Sequence, residues 1–185
     1  MLEARARLCS QNPHKLEELR AALPGWELEL LAADGYPEED GASYLENARA
    51  KAVFGRERSE PGLWLIGEDS GIEAAALGGR PGIHSARWAD DGVARLLEEV
   101  GAAEDRRARY VCELVCLTPA GELRGTGILD GALATSPSGE EGFGYDPIFV
   151  PDGETRTVAE LGNAWKRHNS HRARAARALL AAAPS

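Results

Sequence analysis

Long apolar runs, surplus positive charge and a cysteine framework are all missing from this 185-residue chain, and lysine is nearly so. No apolar stretch approaches the roughly 20 residues of a membrane-spanning helix. The opening Met1-Leu2-Glu3-Ala4-Arg5 lacks the apolar core of a secretory signal, so a cytoplasmic location is expected. A net charge of -9 argues against general adhesion to nucleic acid or to a membrane surface, both of which require basic surface. A polyanionic ligand would then need a local basic pocket. Cys9, Cys112 and Cys116 suit a reducing compartment. Cys112 and Cys116 fall on one expected strand, same side, about 13 Å apart, too far for a disulfide. No further ligands stand at metal-binding spacing, so they are expected in the core.

The scarcity of lysine is itself informative. Of 21 basic side chains only Lys15, Lys51 and Lys166 are lysine, as though arginine serves wherever the two are interchangeable. A compact ammonium suits phosphate oxygens as a point charge, whereas a guanidinium is a planar fork. Asn12, Asn47, Asn163 and Asn169, all the asparagines of the chain, fall in the same three neighbourhoods. The coincidence predicts three parts of one anion site, with chance clustering as the competing reading. Length and an ordinary balance of 43% apolar and 28% charged residues predict a single domain over residues 1–185.

Residues 4 to 9 alternate as a first strand. Ser10-Gln11-Asn12-Pro13-His14-Lys15 follows, then a helical run from Leu16 to Leu23. Pro13 near the helix start, with Ser10 or Asn12 as cap, leaves backbone N–H groups free for an anion. Lys15 in the first turn opposes the helix dipole, which a bound anion would explain. Trp26 to Leu31 reads as a half-exposed strand, and the acidic loop Asp34 to Ala42 as a solvated loop or a source of a hard-metal ligand. Ser43 and Glu46 form a capping-box pattern for a helix to about Arg58, on which Asn47 and Lys51 share a face.

The apolar run Leu63-Trp64-Leu65-Ile66 predicts a buried strand delivering Gly67-Glu68-Asp69-Ser70-Gly71 to a turn, with a second strand from Ile72 to Leu77. Glu68 and Asp69 are adjacent, so an extended backbone aims them at opposite faces, one of them into a site. Gly78 to Gly82 marks a tight connection, and Asp90 or Asp91 caps a helix ending near Gly101. Tyr110 to Thr118 and Glu122 to Leu133 form a long hairpin, with Gly125, Gly127 and Gly131 marking bulges or close backbone approach. The stretch Gly142-Phe143-Gly144-Tyr145-Asp146-Pro147 frames an aromatic with glycines ahead of an acid. Such a loop can hold a purine or plug a turn. From Ala164 onward no acid occurs, and Ser170 can cap a last helix whose first turn carries His171 and Arg172.

Taken together, these stretches resemble the inosine/xanthosine triphosphate pyrophosphatase family, enzymes that remove non-standard purine nucleotides such as dITP and XTP. The resemblance rests on six blocks in order: Ser10-x-Asn12-x-x-Lys15, Tyr44-Leu45-Glu46-Asn47-Ala48-x-x-Lys51-Ala52, Glu68-Asp69-Ser70-Gly71, Gly78-Gly79-x-Pro81-Gly82-x-x-Ser85-Ala86-Arg87, Gly142-Phe143-Gly144-Tyr145-Asp146-Pro147 and Ser170-His171-Arg172. It implies an α/β fold with a long twisted mixed β-sheet, flanking helices and two lobes around a central cleft, assembled as a homodimer. It implies Mg²⁺-dependent hydrolysis of a nucleoside triphosphate to the monophosphate and pyrophosphate. By resemblance Asp69 is the metal-linked residue that activates water, and Glu39 is the second carboxylate near the metal. Ser10, Gln11, Asn12, His14 and Lys15 cradle phosphate with Lys51 close by, and Ser70 lines the site. Phe143, Gly144, Tyr145 and Asp146 hold the base, while Lys166, His171 and Arg172 complete the base and phosphate contacts.

The chain departs from the family pattern at His14, where glycine is common, at Trp165, where an acid is common, and at Asn169, where an apolar residue is common. The segment between Arg87 and Tyr110 is also short. Two rival readings follow: a pyrophosphatase for modified pyrimidine or 7-methylated nucleotides, and a nucleotide-binding sensor without turnover.

Overall fold

The computed structural model describes residues 4–183; Met1, Leu2 and Glu3, which entered the reading of the N-terminus, lie outside the described residues. The fold is α/β. Six strands, β1 (Arg5–Cys9), β2 (Glu27–Leu30), β3 (Trp64–Ala74), β4 (Arg107–Thr118), β5 (Gly121–Leu133) and β6 (Phe149–Pro151), form one sheet in the order β2-β1-β3-β4-β5-β6. β1 pairs in parallel with β2 and with β3, and β5 pairs antiparallel with β6, so the sheet is mixed. β4 and β5 are sheet neighbours joined through Pro119 and Ala120, the hairpin expected from the sequence. Among the described residues five α-helices accompany them: α1 (Pro13–Ala22), α2 (Tyr44–Glu57), α3 (Gly92–Val100), α4 (Val158–Asn169) and α5 (His171–Ala182).

The chain groups into two compact units, one of Met1–Asp69, Cys112–Gly127 and Arg172–Ser185, the other of Ser70–Val111 and Ile128–His171. In the first, Leu8, Leu19, Leu28, Ile66, Leu114 and Leu179 anchor a fully apolar cluster that also takes in Cys112 and Cys116. Each such buried side chain contributes about 1.5–3 kcal/mol. In the second, Ile72, Leu96, Tyr110, Leu133, Ile148 and Phe149 do the same. All three cysteines are buried free thiols, and Cys112 and Cys116 lie in the core as expected.

Local capping explains where the helices begin. Asn12 caps α1, its Oδ1 accepting from the His14 N–H at 2.9 Å, while Ser10 Oγ accepts from the Asn12 N–H at 3.1 Å. Ser43 caps α2 by accepting from Glu46 N–H, but the Glu46 carboxylate reaches back to Ala42 N–H at 2.8 Å rather than to the cap residue itself. Asp91 caps α3, which ends at Gly101 as expected.

The central stretch corrects the sequence reading. No turn follows Ile66: β3 runs unbroken through Glu68, Asp69 and Gly71 to Ala74, and a 3₁₀ turn over Ala75–Leu77 replaces the rest of the expected second strand. Gly67 serves packing, not turning. A Cβ there would lie 1.8 Å from the Ala48 carbonyl oxygen and 2.7 Å from the Ala52 nitrogen, so only glycine lets α2 lie this close to β3. Gly125 does the same for α5, since a Cβ would stand 2.1 Å from the Ala175 carbonyl oxygen. Helix α4 and strand β6 were not anticipated, although Thr157 and Glu160 form a complete capping box at the start of α4.

Candidate functional site

In the first unit, three lysine- and arginine-bearing segments converge on the two acids of β3. Alternation along the strand separates the acids, as expected. Glu68 is fully buried and meets Lys15 of α1, whose Nζ lies 2.6 Å from Oε2, and Arg172 of α5, whose Nε donates to Oε1 at 3.0 Å. Arg172 also reaches Glu18, with Nη1 3.2 Å from its Oε2. Asp69, equally buried, faces α2 instead: Asn47 Nδ2 donates to Oδ2 at 3.0 Å and Lys51 Nζ to Oδ1 at 3.1 Å. Lys51 also donates to Glu39 Oε1 and to the Glu68 carbonyl oxygen. Asn47 is held in turn, its Oδ1 accepting from Gly41 N–H at 2.9 Å.

The electrostatics differ between the two acids. Burial alone would raise the Glu68 carboxyl, but Lys15, Arg172 and Lys51 more than offset it and hold the group ionised, well below the usual range. Asp69 is shifted the other way. Burial pushes it up, the neighbouring Glu39 and Glu68 carboxylates add to that, and Lys51 with the Asn47 hydrogen bond opposes it. Burial would lower Lys51, yet the charges of Asp69, Glu68 and Glu39 raise it, so it remains an ammonium. The surroundings thus favour the ionised form of Glu68 and raise the proton affinity of Asp69.

Lys15 and Lys51 thus have the protein's own carboxylates as partners. Lys15, in the first turn of α1 where the dipole disfavours a cation, is paired with Glu68. Ser10 and Gln11 line an open depression of about 550 Å³ with Leu30, Leu31 and Ala33, at the cap end of α1. His14 is exposed, Ser70 is half-buried on β3, and Asn12 is engaged in capping.

Magnesium chemistry can be tested against these donors. Lys51 places a cation against both Glu39 and Asp69, so the two carboxylates already share one positive charge. Among the described residues no group of three or more His, Cys, Asp or Glu side chains is arranged to hold a metal. Mg²⁺ takes one or two carboxylates and completes its shell with water and substrate oxygens, so the Asp69 and Glu39 pair fits it.

In the second unit, the glycine-framed loop is pinned through Asp146. Oδ2 accepts from Phe143 N–H at 2.8 Å and from Lys166 Nζ at 2.7 Å, and Oδ1 accepts from the Tyr110 hydroxyl at 3.2 Å. The Lys166 ammonium also stands 4.5 Å from the centre of the Phe143 ring. Gly142 and Gly144 take positive φ, at 82° and 62°, which lets the chain fold back over the acid. Tyr145 is buried, its hydroxyl donating to the Ser85 carbonyl at 2.9 Å, and Gly144 is exposed. His171 is buried and stacks on Tyr110, ring centres 4.5 Å apart and planes 7° from parallel. Trp165 donates to Glu154 at 3.1 Å and Asn169 to the Trp165 carbonyl at 2.9 Å, so both departures have partners within this unit.

The sequence reading set Asn47 and Lys51 on one face of α2 but did not pair them with Asp69, to which both donate. It also missed Tyr110 and Glu18, which carry no local signature and are recruited only by folding.

The chain matches the Ham1 family model over residues 6–182. It is 43% identical to a Deinococcus radiodurans dITP/XTP pyrophosphatase, covering 96% of this chain and 92% of that protein. It is 41% identical to a Thermus thermophilus dITP/XTP pyrophosphatase, covering 95% and 89%. Among solved structures it resembles the Staphylococcus aureus Ham1 protein, with a TM-score of 0.84 and 33% identity over 96% of each chain. A Mycobacterium abscessus nucleoside-triphosphatase / dITP/XTP pyrophosphatase gives a TM-score of 0.71 and 39% identity over 97% of this chain and 98% of that one.

Proposed function

This chain belongs to the Ham1 family, and from that premise we propose that it hydrolyses non-standard purine nucleoside triphosphates, ITP, dITP and XTP, to the monophosphate and pyrophosphate. The observation that carries the reading is Asp69: a buried carboxylate whose affinity for a proton is raised, held by Asn47 and Lys51 beside Glu39. Asp69 takes a proton from water as the oxygen attacks phosphorus. The α–β anhydride bond breaks, and pyrophosphate leaves with the bonding electron pair. Lys51 keeps Asp69 ionised before attack and is the nearest ammonium for phosphate oxygens, with Lys15 and the α1 cap segment Ser10 to Asn12 as further phosphate ligands. Asp69 and Glu39 would hold Mg²⁺, which when bound neutralises phosphate charge and polarises the reacting phosphoryl group.

The base is assigned to Phe143, Gly144, Tyr145 and Asp146 with Lys166 and His171, and Arg172 is assigned to the phosphates. A site that offers partners to the O6 and N1–H edge of a 6-oxo purine leaves them unpaired against adenine, which disfavours ATP. We also infer a homodimer, supported by the family resemblance alone, and a cytoplasmic location, which three free buried cysteines suit. Light scattering giving one chain mass instead of two would remove the dimer.

The deciding experiment supplies Mg²⁺ with ITP, XTP, dITP, ATP, GTP or TTP and measures pyrophosphate and orthophosphate separately. Pyrophosphate from ITP, dITP and XTP is expected. Orthophosphate as the direct product, or equal rates on ATP and ITP, overturns the reading. Preference for modified pyrimidines, or tight ITP binding without turnover, would select one of the two rivals.

A further inference from the structure

Tyr110 lies on β4, outside every sequence block that pointed to the site, yet it touches two of the groups assigned to base recognition. It is buried, so its side chain has one fixed place. Its hydroxyl donates to Asp146 Oδ1 at 3.2 Å, the oxygen opposite the one that takes Lys166 and Phe143 N–H. Its ring face lies parallel to the His171 imidazole at 4.5 Å, and its other flank leans on Phe149 at 4.7 Å with planes 57° apart. One rigid aromatic thus ties the Phe143 loop to the first residue of α5. A phenylalanine would fill the same volume without the hydroxyl, so burial alone does not explain the tyrosine.

We propose that Tyr110 is a positioning residue for base discrimination, setting the Asp146 loop and the His171 ring in one register. The inference rests on the assignment of the Phe143 loop and His171 to the purine. The two groups that Tyr110 holds, Asp146 and His171, are both assigned to the base, so its effect falls on the base and not on the triphosphate. Losing a hydrogen bond to a carboxylate releases the loop, and kcat/KM for ITP falls about tenfold. ATP gains nothing from the aligned loop, so its kcat/KM changes little and the ITP preference shrinks by the same factor.

The test compares wild type with Tyr110→Phe and Tyr110→Leu. Three readouts are taken: kcat/KM on ITP and ATP, the inhibition constant of inorganic tripolyphosphate, which has no base, and the NMR shifts of the His171 ring protons. Tyr110→Phe is expected to lose ITP preference through KM, keep the tripolyphosphate constant within about twofold and keep the ring-current shift of His171. Tyr110→Leu is expected to lose the ring-current shift as well and to discriminate less than Tyr110→Phe. An unchanged ITP to ATP ratio in Tyr110→Phe, or an equal loss on tripolyphosphate, overturns the proposal. Failure of the wild type to turn over ITP would instead strike the functional assignment beneath it.

Discussion

Replacing Glu68 by glutamine tests whether the buried charge cluster holds the first unit together. The carboxylate has no exposed surface, pairs with the Lys15 ammonium at 2.6 Å on one oxygen and accepts from Arg172 Nε at 3.0 Å on the other. Glutamine keeps the shape but removes the negative charge that faces both cations, whose side chains are only 13% and 4% exposed. Breaking a buried pair in this way costs about 3–5 kcal/mol. Because Arg172 keeps Glu18 at 3.2 Å, the lower end applies, about 3 kcal/mol. Against a total stability of about 5–15 kcal/mol this is a large share. For a chain of this length it lowers Tm by about 6–12 °C. Urea unfolding followed by circular dichroism, with chelator present and nucleotide absent, should show the midpoint falling at constant m. The Glu68→Gln, Arg172→Met double variant should lose less than the sum of the single losses, since the guanidinium that faced the lost charge is gone. A fall in Tm below about 2 °C, or strict additivity, would refute the account of Glu68 as the counter-charge for these cations.

Asp69→Asn should abolish turnover while leaving nucleotide affinity within about tenfold, measured by single-turnover assay and calorimetry; retention of most activity would move the base to Glu39 or Glu68. Gly67→Ala should destabilise by about 2–3 kcal/mol, because its methyl would overlap the α2 backbone at Ala48 and Ala52, and an unchanged melt would mean that α2 can shift freely. The three thiols should resist an aromatic disulfide reagent at pH 8 in the native state and react once the chain is unfolded. Burial pushes Cys9 and Cys116 up to about 12 and Cys112 well above its ordinary value, so reactive thiolate forms only as pH rises through those raised values.

Periodicity and capping carried much of the fold. Ser43 caps α2 as expected, and of the paired candidates Ser10 or Asn12 and Asp90 or Asp91 it is Asn12 and Asp91 that cap α1 and α3, because a side chain satisfying an N–H two or three positions on is a local matter. The hairpin of β4 and β5 was equally legible. The turn after Ile66 was not, because Gly67 and Gly71 look locally like a break. The close approach of α2, a contact between residues far apart in sequence, explains Gly67 and leaves the strand intact.

The sequence by itself determined the chemistry available: two adjacent acids on a strand, three lysines kept where arginine is otherwise used, and a glycine-framed aromatic loop, in an order shared with a family. Only the tertiary structure decided how these groups are paired. Adjacent carboxylates receive opposite roles because alternation on β3 turns one toward α1 and α5 and the other toward α2. Three cations hold Glu68 as an anion against its burial, while burial and two neighbouring carboxylates raise the proton affinity of Asp69. Likewise each retained lysine proved to face a carboxylate of the protein, a pairing set by contacts that no local pattern encodes.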